Sequence, residues 1–158
     1  ELLYFILVWK WGMFVNDDKY AGIRLDNQLC FPLYVCSKEI VRKYKPFLDE
    51  LNLTYTQYIA MMVLWEKKEV TVTELGNRLY LDSGTLTPLL KKLEQKGYVT
   101  RKRMESDERN VCISITAKGD ELKEEAVKIP KKIRCCMTLD DNEAKVLYSI
   151  LHKVLDNF

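Results

Sequence analysis

Hydrophobic residues recur at helical spacing near the beginning of the chain. Between residues 25 and 44 the apolar positions lie mostly three or four residues apart, as on one face of an α-helix; they are Leu29, Leu33, Cys36, Ile40, Val41 and Tyr44. Pro46 lacks a backbone N–H, so we expect it to interrupt this helix and to leave residues 47–51 as a short further turn.

A second amphipathic helix is predicted from Thr54 to about Glu66. Thr54 suits the N-cap position, and Gln57 three residues later completes a capping-box pattern. The apolar stripe of this helix is Tyr58, Met61, Met62 and Trp65. Residues 70–72 are short and rich in β-branched side chains, which favours a single small strand.

Two short helices are predicted next. Thr71 or Thr73 would cap the first helix, and Asp82 or Ser83 would cap the second. The second extends to about residue 96, where Gly97 suits the left-handed position that ends a helix. Their inward faces are formed by Leu75, Leu79, Leu86, Leu89, Leu90 and Leu93. Two helices joined by so short a connection are typical of a helix-turn-helix.

The period of the pattern changes from that of a helix to that of a strand after Gly97. Residues 98–102 and 110–115 are predicted to be the two strands of a β-hairpin, with a charged tip at residues 104–109. A hairpin that directly follows a helix-turn-helix is a wing, so these elements predict a winged helix.

The C-terminal part of the chain is predicted to be helical. Thr116 would cap a long helix that is bent or broken at Pro130. Thr138 and Asp140 then mark the start of a last helix, whose apolar stripe is Leu147, Ile150, Leu151, Val154 and Leu155. No other segment is predicted to cover the apolar faces at the two ends of the chain, which indicates a partner subunit.

These elements together predict a mainly α fold with a small β-hairpin, namely a winged helix-turn-helix flanked by N- and C-terminal dimerisation helices. Residues 16–158 fit a single domain. We place the winged helix-turn-helix at about residues 55–116 and the dimerisation helices at about residues 25–52 and 117–158.

Residues 1–15 form a short apolar and aromatic run that differs from the rest of the chain. Three interpretations are open: an upstream or tag-derived leader with Met13 as the natural start, an apolar arm packed on a dimer, or a membrane anchor. The run is shorter than the roughly 20 apolar residues that span a bilayer, and it lacks the basic start and cleavage site of a signal peptide. We therefore expect a cytoplasmic protein without a membrane partner.

Charge placement is more informative than the net charge of +2. Between Lys91 and Arg109 seven Lys or Arg residues stand against four Asp or Glu residues. A basic run by itself is most often a solvated face, but beside a helix-turn-helix and a wing it favours binding to double-stranded DNA. The predicted DNA contacts are Ser83, Thr85, Thr87, Lys91 and Lys92 on the second helix, and Arg101, Lys102, Arg103 and Arg109 on the wing.

The five cysteines have neither the spacing of a secreted disulfide framework nor that of a zinc site. The single histidine, His152, excludes a His-rich metal site, so we expect reduced thiols and no metal or cofactor. Cys36 lies six residues after Cys30, which puts the two on different helical faces and predicts a core role for Cys36. Cys112 falls on the polar side of its predicted strand, and no role is assigned to it.

Three motifs resemble the MarR family of dimeric repressors. They are LDSGTLTPLLKKLE at residues 81–94, GYVTR at residues 97–101 and DER at residues 107–109. The pair Asp107 and Arg109 matches a wing motif that is widely shared in that family, which adds Asp107 to the expected DNA-binding residues. The similarity extends over about residues 25–158.

Three upstream motifs narrow the resemblance to the organic-hydroperoxide-sensing branch of the family: NQLCF at residues 27–31, YKP at residues 44–46 and LTYTQY at residues 53–58. One residue departs from the pattern of the branch, since Thr56 stands where proline is expected. Threonine also suits the first turn of a helix, so we expect this departure to matter little.

The resemblance implies a homodimer that binds a palindromic operator when reduced and leaves it when a cysteine is oxidised. Cys30 matches the peroxide-sensing cysteine of the branch, and Tyr44 and Tyr55 match two tyrosines that donate hydrogen bonds to the reactive sulfur. A thiolate is the form that attacks a peroxide, and phenolic donors stabilise it without adding a charge. Without the resemblance, Cys30 would be interpreted as a small buried hydrophobic residue.

The resemblance also implies a candidate for the step that follows oxidation. Part of the branch uses a C-terminal cysteine of the other subunit to trap the oxidised sulfur as an intersubunit disulfide. Cys135 and Cys136 both lie in the region where that cysteine falls. Capping of Cys30 by a small-molecule thiol is the alternative.

Two other functions fit parts of the sequence. A regulator of the same fold could be released by a phenolic or lipid-like ligand in a pocket between the dimer helices, lined by Tyr34, Tyr55, Met61, Met62 and Trp65. A thiol peroxidase is disfavoured, because the chain has no Thr-x-x-Cys or Cys-x-x-Cys arrangement and a wing has no purpose in such an enzyme.

Overall fold

The computed structural model describes residues 19–104 and 107–158, and for residues 104 and 107–110 it describes only the backbone. The helices are α1 (Cys30–Glu50), α2 (Tyr55–Lys67), α3 (Val72–Leu79), α4 (Ser83–Gln95), α5 (Ala117–Glu121), α6 (Lys123–Ala126), α7 (Ile129–Arg134) and α8 (Asp141–Leu155). The strands are β1 (Glu69–Thr71), β2 (Val99–Met104) and β3 (Asp107–Ile115). No described helix has the length and apolar character needed to cross a membrane.

The chain divides into two units, residues 1–42 and residues 43–158. Residues 1–15, for which a leader, an arm and an anchor were considered, lie outside the described residues. The winged helix-turn-helix and the C-terminal helices belong to the second unit.

The described part of the first unit begins with two 3-10 turns, Ala21–Ile23 and Leu25–Asn27, where a helix was predicted from residue 25. Side-chain amides fix these turns, since Asn27 and Gln28 donate to backbone carbonyls six residues earlier, at 2.7 and 2.6 Å. Such bonds offer the backbone an alternative to a helix. As a result, α1 begins only at Cys30.

α1 continues through Pro46 to Glu50, so the predicted interruption is wrong. A proline inside a helix costs about 3 kcal/mol because it removes a hydrogen bond and crowds the preceding turn. The next two residues offset this cost: Phe47 packs against the core and Leu48 is 1% exposed. Burial of one such side chain contributes about 1.5–3 kcal/mol. Tertiary packing therefore outweighs local propensity at this position.

The helices of the helix-turn-helix begin at the predicted caps. Thr54 and Gln57 form a complete capping box, with the Gln57 N–H bonded to the Thr54 hydroxyl and the Thr54 N–H bonded to the Gln57 side chain. Thr71 and Asp82 cap α3 and α4 by accepting from backbone N–H groups three residues later, at 3.1 and 2.9 Å. These caps confirm the predicted starts of all three helices.

β1 joins the hairpin as a third antiparallel strand, and the order in the sheet is β1-β3-β2. Val70 of β1 lies opposite Ile113 of β3, and both side chains are buried. The sequence predicted the small strand and the hairpin but not their pairing. β2 and β3 are also longer than predicted, and residues 105–106 between them lie outside the described residues.

The C-terminal region differs from the long helix, bent or broken at Pro130, that was predicted after Thr116. Thr116 caps α5, but α6 and α7 follow as separate short helices. Pro130 is the second residue of α7, where the missing N–H has no helical partner to lose. Asp140 caps α8 as predicted, and Glu143 completes a capping box there.

α8 buries none of its residues within the chain. The apolar side chains on it are 37–59% exposed, namely Val146, Leu147, Ile150, Leu151, Val154 and Leu155. The buried core lies instead among the end of α1, the helices α2, α3, α4, α6 and α7, and the sheet. Its largest fully buried side chains include Leu48, Met61, Leu64, Leu75, Leu86, Leu90, Leu93 and Ile113.

Candidate nucleic-acid interface and cysteine site

The first turn of α4 presents short polar groups in fixed positions. The Thr85 hydroxyl donates to the Asp82 carboxylate at 3.0 Å, and the Thr87 hydroxyl donates to the Ser83 carbonyl at 2.7 Å. The backbone N–H of Thr85, followed by its hydroxyl, lowers the pKa of Asp82. Short polar side chains at the start of a second helix suit entry into the major groove of DNA.

Close packing against α3 fixes the orientation of α4. A Cβ at Gly76 would lie 2.8 Å from the Leu81 carbonyl oxygen and 3.1 Å from Leu86 Cδ1, so this position needs glycine. Tyr80 ends α3 in the left-handed conformation, at φ 54°. With the leucine face of α4 buried, the exposed face carries five predicted DNA contacts: Ser83, Thr85, Thr87, Lys91 and Lys92.

The wing exposes Lys102 and Arg103 but holds Arg101 against α4. Arg101 Nε donates to Glu94 Oε2 at 2.8 Å, and the Arg101 side chain is only 28% exposed. This ion pair joins β2 to α4, so Arg101 has a structural partner that the prediction of a DNA contact did not include. The other predicted wing contacts lie in β3, with side chains outside the described residues: Asp107 and Arg109.

The two tyrosines predicted to bond the reactive sulfur are in contact. The rings of Tyr44 and Tyr55 meet edge to face with centroids 5.0 Å apart, and Tyr58 adds a third ring 5.9 Å from Tyr44. Burial, and after it the neighbouring Tyr55, raises the pKa of Tyr44. A phenol with a raised pKa stays protonated and remains a hydrogen-bond donor. Tyr58 had been assigned only to the apolar stripe of α2.

Four of the cysteines are exposed in the chain. Cys30 is the first residue of α1, where the partial positive charge of the helix start favours an anion. Cys36 is exposed on the same helix, so the predicted core role is wrong for the single chain. Cys135 and Cys136 directly follow α7, and the Cys136 thiol lies 3.5 Å from the Lys132 carbonyl oxygen.

Cys112 is half-buried in the sheet, and its thiol donates to the Val70 carbonyl at 3.7 Å. Burial, followed by the hydrogen bond with Glu69, raises the pKa of Cys112, which disfavours the reactive thiolate. The Glu69 carboxylate also accepts from the Ser114 hydroxyl at 2.6 Å, and this bond, followed by the one with Cys112, lowers the pKa of Glu69. The surroundings of Cys112 therefore make its sulfur a poor nucleophile.

A cavity of about 370 Å³ opens between α2 and the helices α6 and α7. It is lined by Tyr58, Met62, Trp65, Glu66, Lys123, Ala126, Val127 and Pro130. Of the residues considered for a ligand pocket, Met62 and Trp65 line this cavity, whereas Met61 is fully buried in the core. Tyr34 is an exposed residue of the first unit.

Comparisons with known proteins agree with this geometry. Residues 42–126 match the family model described as transcriptional regulator SarA/Rot. The organic hydroperoxide resistance transcriptional regulator of Bacillus subtilis strain 168 is 50% identical over 140 residues, which are 89% of this chain and 95% of that protein. The HTH-type transcriptional regulator SarZ of Staphylococcus aureus strain USA300 is 45% identical over 135 residues, 85% of this chain and 91% of that protein.

Among solved structures, a mutant MarR from E. coli complexed with operator DNA superimposes with a TM-score of 0.76 at 26% identity, over 87% of this chain and 99% of that chain. Reduced AbfR of Staphylococcus epidermidis bound to DNA gives a TM-score of 0.72 at 37% identity, over 86% of this chain and 94% of that chain. The chain belongs to the MarR family. As a MarR-family protein it is a transcriptional regulator and not an enzyme.

Oxidised forms of the same MarR-family neighbour have also been solved. Overoxidised AbfR bound to DNA is 36% identical, with a TM-score of 0.73 over 89% of this chain and 98% of that chain. Disulfide-formed AbfR is also 36% identical, with a TM-score of 0.61 over 86% of this chain and 92% of that chain. Within the MarR family, the relatives of this chain therefore include proteins named for hydroperoxide resistance or described in oxidised states.

Proposed function

We propose that this protein is a homodimeric repressor that leaves a palindromic DNA operator when Cys30 is oxidised by an organic hydroperoxide or a similar oxidant. The oxidised sulfur is then trapped as an intersubunit disulfide with Cys135 or Cys136. The observation that carries the proposal is an exposed Cys30 at the start of α1, in a winged-helix chain that is 50% identical to a regulator named for organic hydroperoxide resistance.

DNA binding is supported by the exposed polar face of α4 and by the basic start of the wing. Lys91 and Lys92 on α4 and Lys102 and Arg103 on β2 are exposed cations that suit phosphate oxygens. The neighbours described as bound to DNA share this fold. In this arrangement α4 is the recognition helix, and the wing contacts the backbone or the minor groove beside it.

Dimerisation is supported by the apolar surface that each terminal region leaves uncovered. α8 exposes an apolar stripe from Val146 to Leu155, and in the first unit Leu29, Phe31 and Leu33 are 38–48% exposed. A contiguous exposed apolar surface of this kind marks a protein–protein interface. We assign these surfaces to the dimer contact between two copies of the chain.

The redox step begins with the Cys30 thiolate, which attacks an oxygen of the hydroperoxide. The O–O bond breaks, an alcohol leaves after taking a proton, and the sulfur becomes a sulfenic acid. The thiol of Cys135 or Cys136 of the partner subunit then attacks this sulfur, forming the disulfide and releasing water. Tyr44 and Tyr55 donate hydrogen bonds that stabilise the Cys30 thiolate before the attack.

The first test combines non-reducing electrophoresis with DNA binding after one equivalent of cumene hydroperoxide per chain. We expect the wild type to form a covalent dimer and to release DNA, whereas Cys30→Ser does neither. Cys36→Ser, which changes another exposed cysteine of α1, is the matched control and should behave as the wild type. Release of DNA by oxidised Cys30→Ser would contradict the proposal.

The same experiment identifies the partner of Cys30. We expect the covalent dimer to disappear in either Cys135→Ser or Cys136→Ser, and the variant that loses it names the resolving cysteine. If the wild type releases DNA without a covalent dimer when a small-molecule thiol is added with the hydroperoxide, and the mass of Cys30 rises by that of the bound thiol, capping would replace the intersubunit disulfide.

A second candidate function is supported by the cavity beside α2. A regulator released by a small phenolic or lipid-like ligand needs a mostly apolar site, and the cavity of about 370 Å³ lined by Met62 and Trp65 is of suitable size. This function predicts that such a ligand releases DNA in the presence of excess reductant and equally in Cys30→Ser. Release that requires oxidant and Cys30 would exclude it.

A further inference from the structure

The helices α1 and α4 end in the same way. After α1, Asn52 takes a left-handed conformation with φ 52°, and the N–H of Leu53 donates back to the Leu48 carbonyl at 2.9 Å. The N–H of Asn52 donates to the Asp49 carbonyl at 3.0 Å. This pair of bonds is a Schellman motif, and the carbonyl groups at such an end carry a partial negative charge.

After α4, Gly97 occupies the left-handed position with φ 75°. The N–H of Tyr98 donates to the Leu93 carbonyl at 3.0 Å, and the N–H of Gly97 donates to the Glu94 carbonyl at 2.8 Å. A residue with a Cβ would be strained at this φ, so Gly97 allows the sharp change of direction. The turn leaves Lys96 and Tyr98 on either side of Gly97.

Lys96 connects the two helix ends. Its Nζ donates to the Asn52 carbonyl at 2.6 Å and to Gln57 Oε1 at 2.9 Å. A cation is favourable at the carbonyl end of a helix, and charge-assisted hydrogen bonds are stronger than neutral ones. Gln57 is 2% exposed and its Oε1 also accepts the Thr54 N–H, so the partner of Lys96 is itself held in place.

Tyr98 holds the same turn from the other side of Gly97. Its hydroxyl donates to the Leu51 carbonyl at 3.4 Å, and its ring is buried. Both residues that flank Gly97 therefore contact residues 51–57. That segment carries Tyr55, whose ring packs on Tyr44. The end of the recognition helix is thus bonded to the turn that carries a phenol of the candidate cysteine site.

We propose that Lys96 is a positioning residue that couples the turn at residues 51–57 to the recognition helix α4. The coupling rests on the proposed function, because it requires oxidation at Cys30 and a response in DNA affinity. In the proposed function Tyr55 donates a hydrogen bond to the Cys30 sulfur, so oxidation of that sulfur changes this bond and with it the position of the turn that carries Tyr55. Because Lys96 is bonded to Asn52 and Gln57, a movement of the turn also moves the end of α4. Without these two hydrogen bonds, α4 would keep its orientation.

The test measures the ratio of DNA dissociation constants after and before oxidation by one equivalent of cumene hydroperoxide. Allosterically coupled sites typically give ratios of about 5–150. Substitutions along a coupling network change such a ratio by roughly two- to thirtyfold, and we expect Lys96→Met to lower the ratio within this range. Lys96→Arg, which retains donors and charge, should keep a ratio close to that of the wild type.

Lys128→Met is the matched control, because it also removes a bonded lysine, here the partner of Glu125, from the connection between α6 and α7, outside the helix-turn-helix. It should leave the ratio unchanged. An unchanged ratio in Lys96→Met, while the wild type responds, would overturn the coupling alone. If the DNA dissociation constant of the wild type is the same before and after hydroperoxide treatment, the proposed function and the coupling are both overturned.

Hydrogen exchange of the wild type tests the coupling even if Lys96→Met fails to fold. We expect oxidation to change the exchange of the Leu53 and Tyr98 amides together, since each closes one of the two linked Schellman motifs. A change at Leu53 with none at Tyr98 would overturn the proposal.

Discussion

Replacement of Gly119 by alanine tests the junction at which α5 meets the sheet and α2. A Cβ at this position would lie 2.1 Å from the Tyr98 carbonyl oxygen and 3.1 Å from Ile115 Cγ1. The Tyr98 carbonyl cannot turn away cheaply, because it accepts the Thr116 N–H at 3.0 Å. The start of α5 would therefore have to move by more than about 1 Å to restore ordinary contact distances.

That displacement also affects the hydrogen bonds that Gly119 makes. Its carbonyl accepts from Trp65 Nε1 at 2.9 Å, and its N–H donates to the Thr116 hydroxyl at 3.0 Å. Overpacking costs about 1–3 kcal/mol, and an unsatisfied buried donor such as the Trp65 N–H costs about 1–3 kcal/mol. The better helix propensity of alanine returns about 1 kcal/mol. We expect the free energy of unfolding to fall by about 1–5 kcal/mol.

The measurement is urea unfolding followed by circular dichroism, at one protomer concentration for all proteins because a dimer's stability depends on concentration. Gly22→Ala is the matched control, since a Cβ at Gly22 meets no atom within 4 Å, and its stability should stay within about 0.5 kcal/mol of the wild type. A Gly119→Ala protein as stable as the wild type would refute the packing described for this junction.

Three further predictions concern the candidate sites. Asp82→Asn keeps a capping side chain at the start of α4 but removes the titrating carboxyl group. Because folding lowers the pKa of Asp82, the wild type should lose stability as the pH falls below about 4. Asp82→Asn should lose less stability over the same range, as measured by acid unfolding curves. Lys92→Met should lower the slope of log DNA affinity against log salt concentration by about 1, because one phosphate contact is lost. Arg101→Met should lower this slope less, because Arg101 is paired with Glu94. Equal slopes for the two variants would contradict this prediction. Tyr44→Phe should slow the oxidation of Cys30, followed by mass spectrometry, and leave the DNA affinity of the reduced protein unchanged; an unchanged oxidation rate would contradict the role of the Tyr44 phenol.

The helix starts were predictable from the sequence because a cap is a local interaction. Thr54, Thr71 and Asp82 each accept a backbone N–H three residues later, and the residue types alone indicate such a bond. Gly97 was predictable for a similar reason, since its left-handed conformation follows from the turn it must make. In these places sequence and structure agree because no distant residue decides the outcome.

The features that the sequence predicted wrongly or missed depend on contacts between distant parts of the chain. α1 passes Pro46 because Leu48 is buried in the core, and β1 enters the sheet because Val70 lies opposite Ile113. Neither contact can be inferred from periodicity. The same limit applies at α8, where an apolar stripe is clear from the sequence but no part of the chain that the structure describes buries it.

The sequence predicted which residues form the candidate site, but it predicted only part of the contacts among them. Motif resemblance placed Tyr44 and Tyr55 together, and their rings are in contact. It did not indicate the ion pair between Arg101 and Glu94 or the bonds of Lys96 to the turn after α1. A lysine between Gln95 and Gly97 carries no sequence signal of its partner, because that partner lies 44 residues earlier in the chain.

The central claim is that oxidation of Cys30 controls DNA binding, and one titration tests it most directly. Reduced protein bound to an operator selected from random-sequence duplexes is treated with increasing fractions of an equivalent of cumene hydroperoxide. In each sample the oxidised fraction of every cysteine is measured by mass spectrometry and the released DNA by fluorescence anisotropy. We predict that released DNA rises in step with oxidised Cys30. Release of DNA while Cys30 remains a thiol would contradict the account.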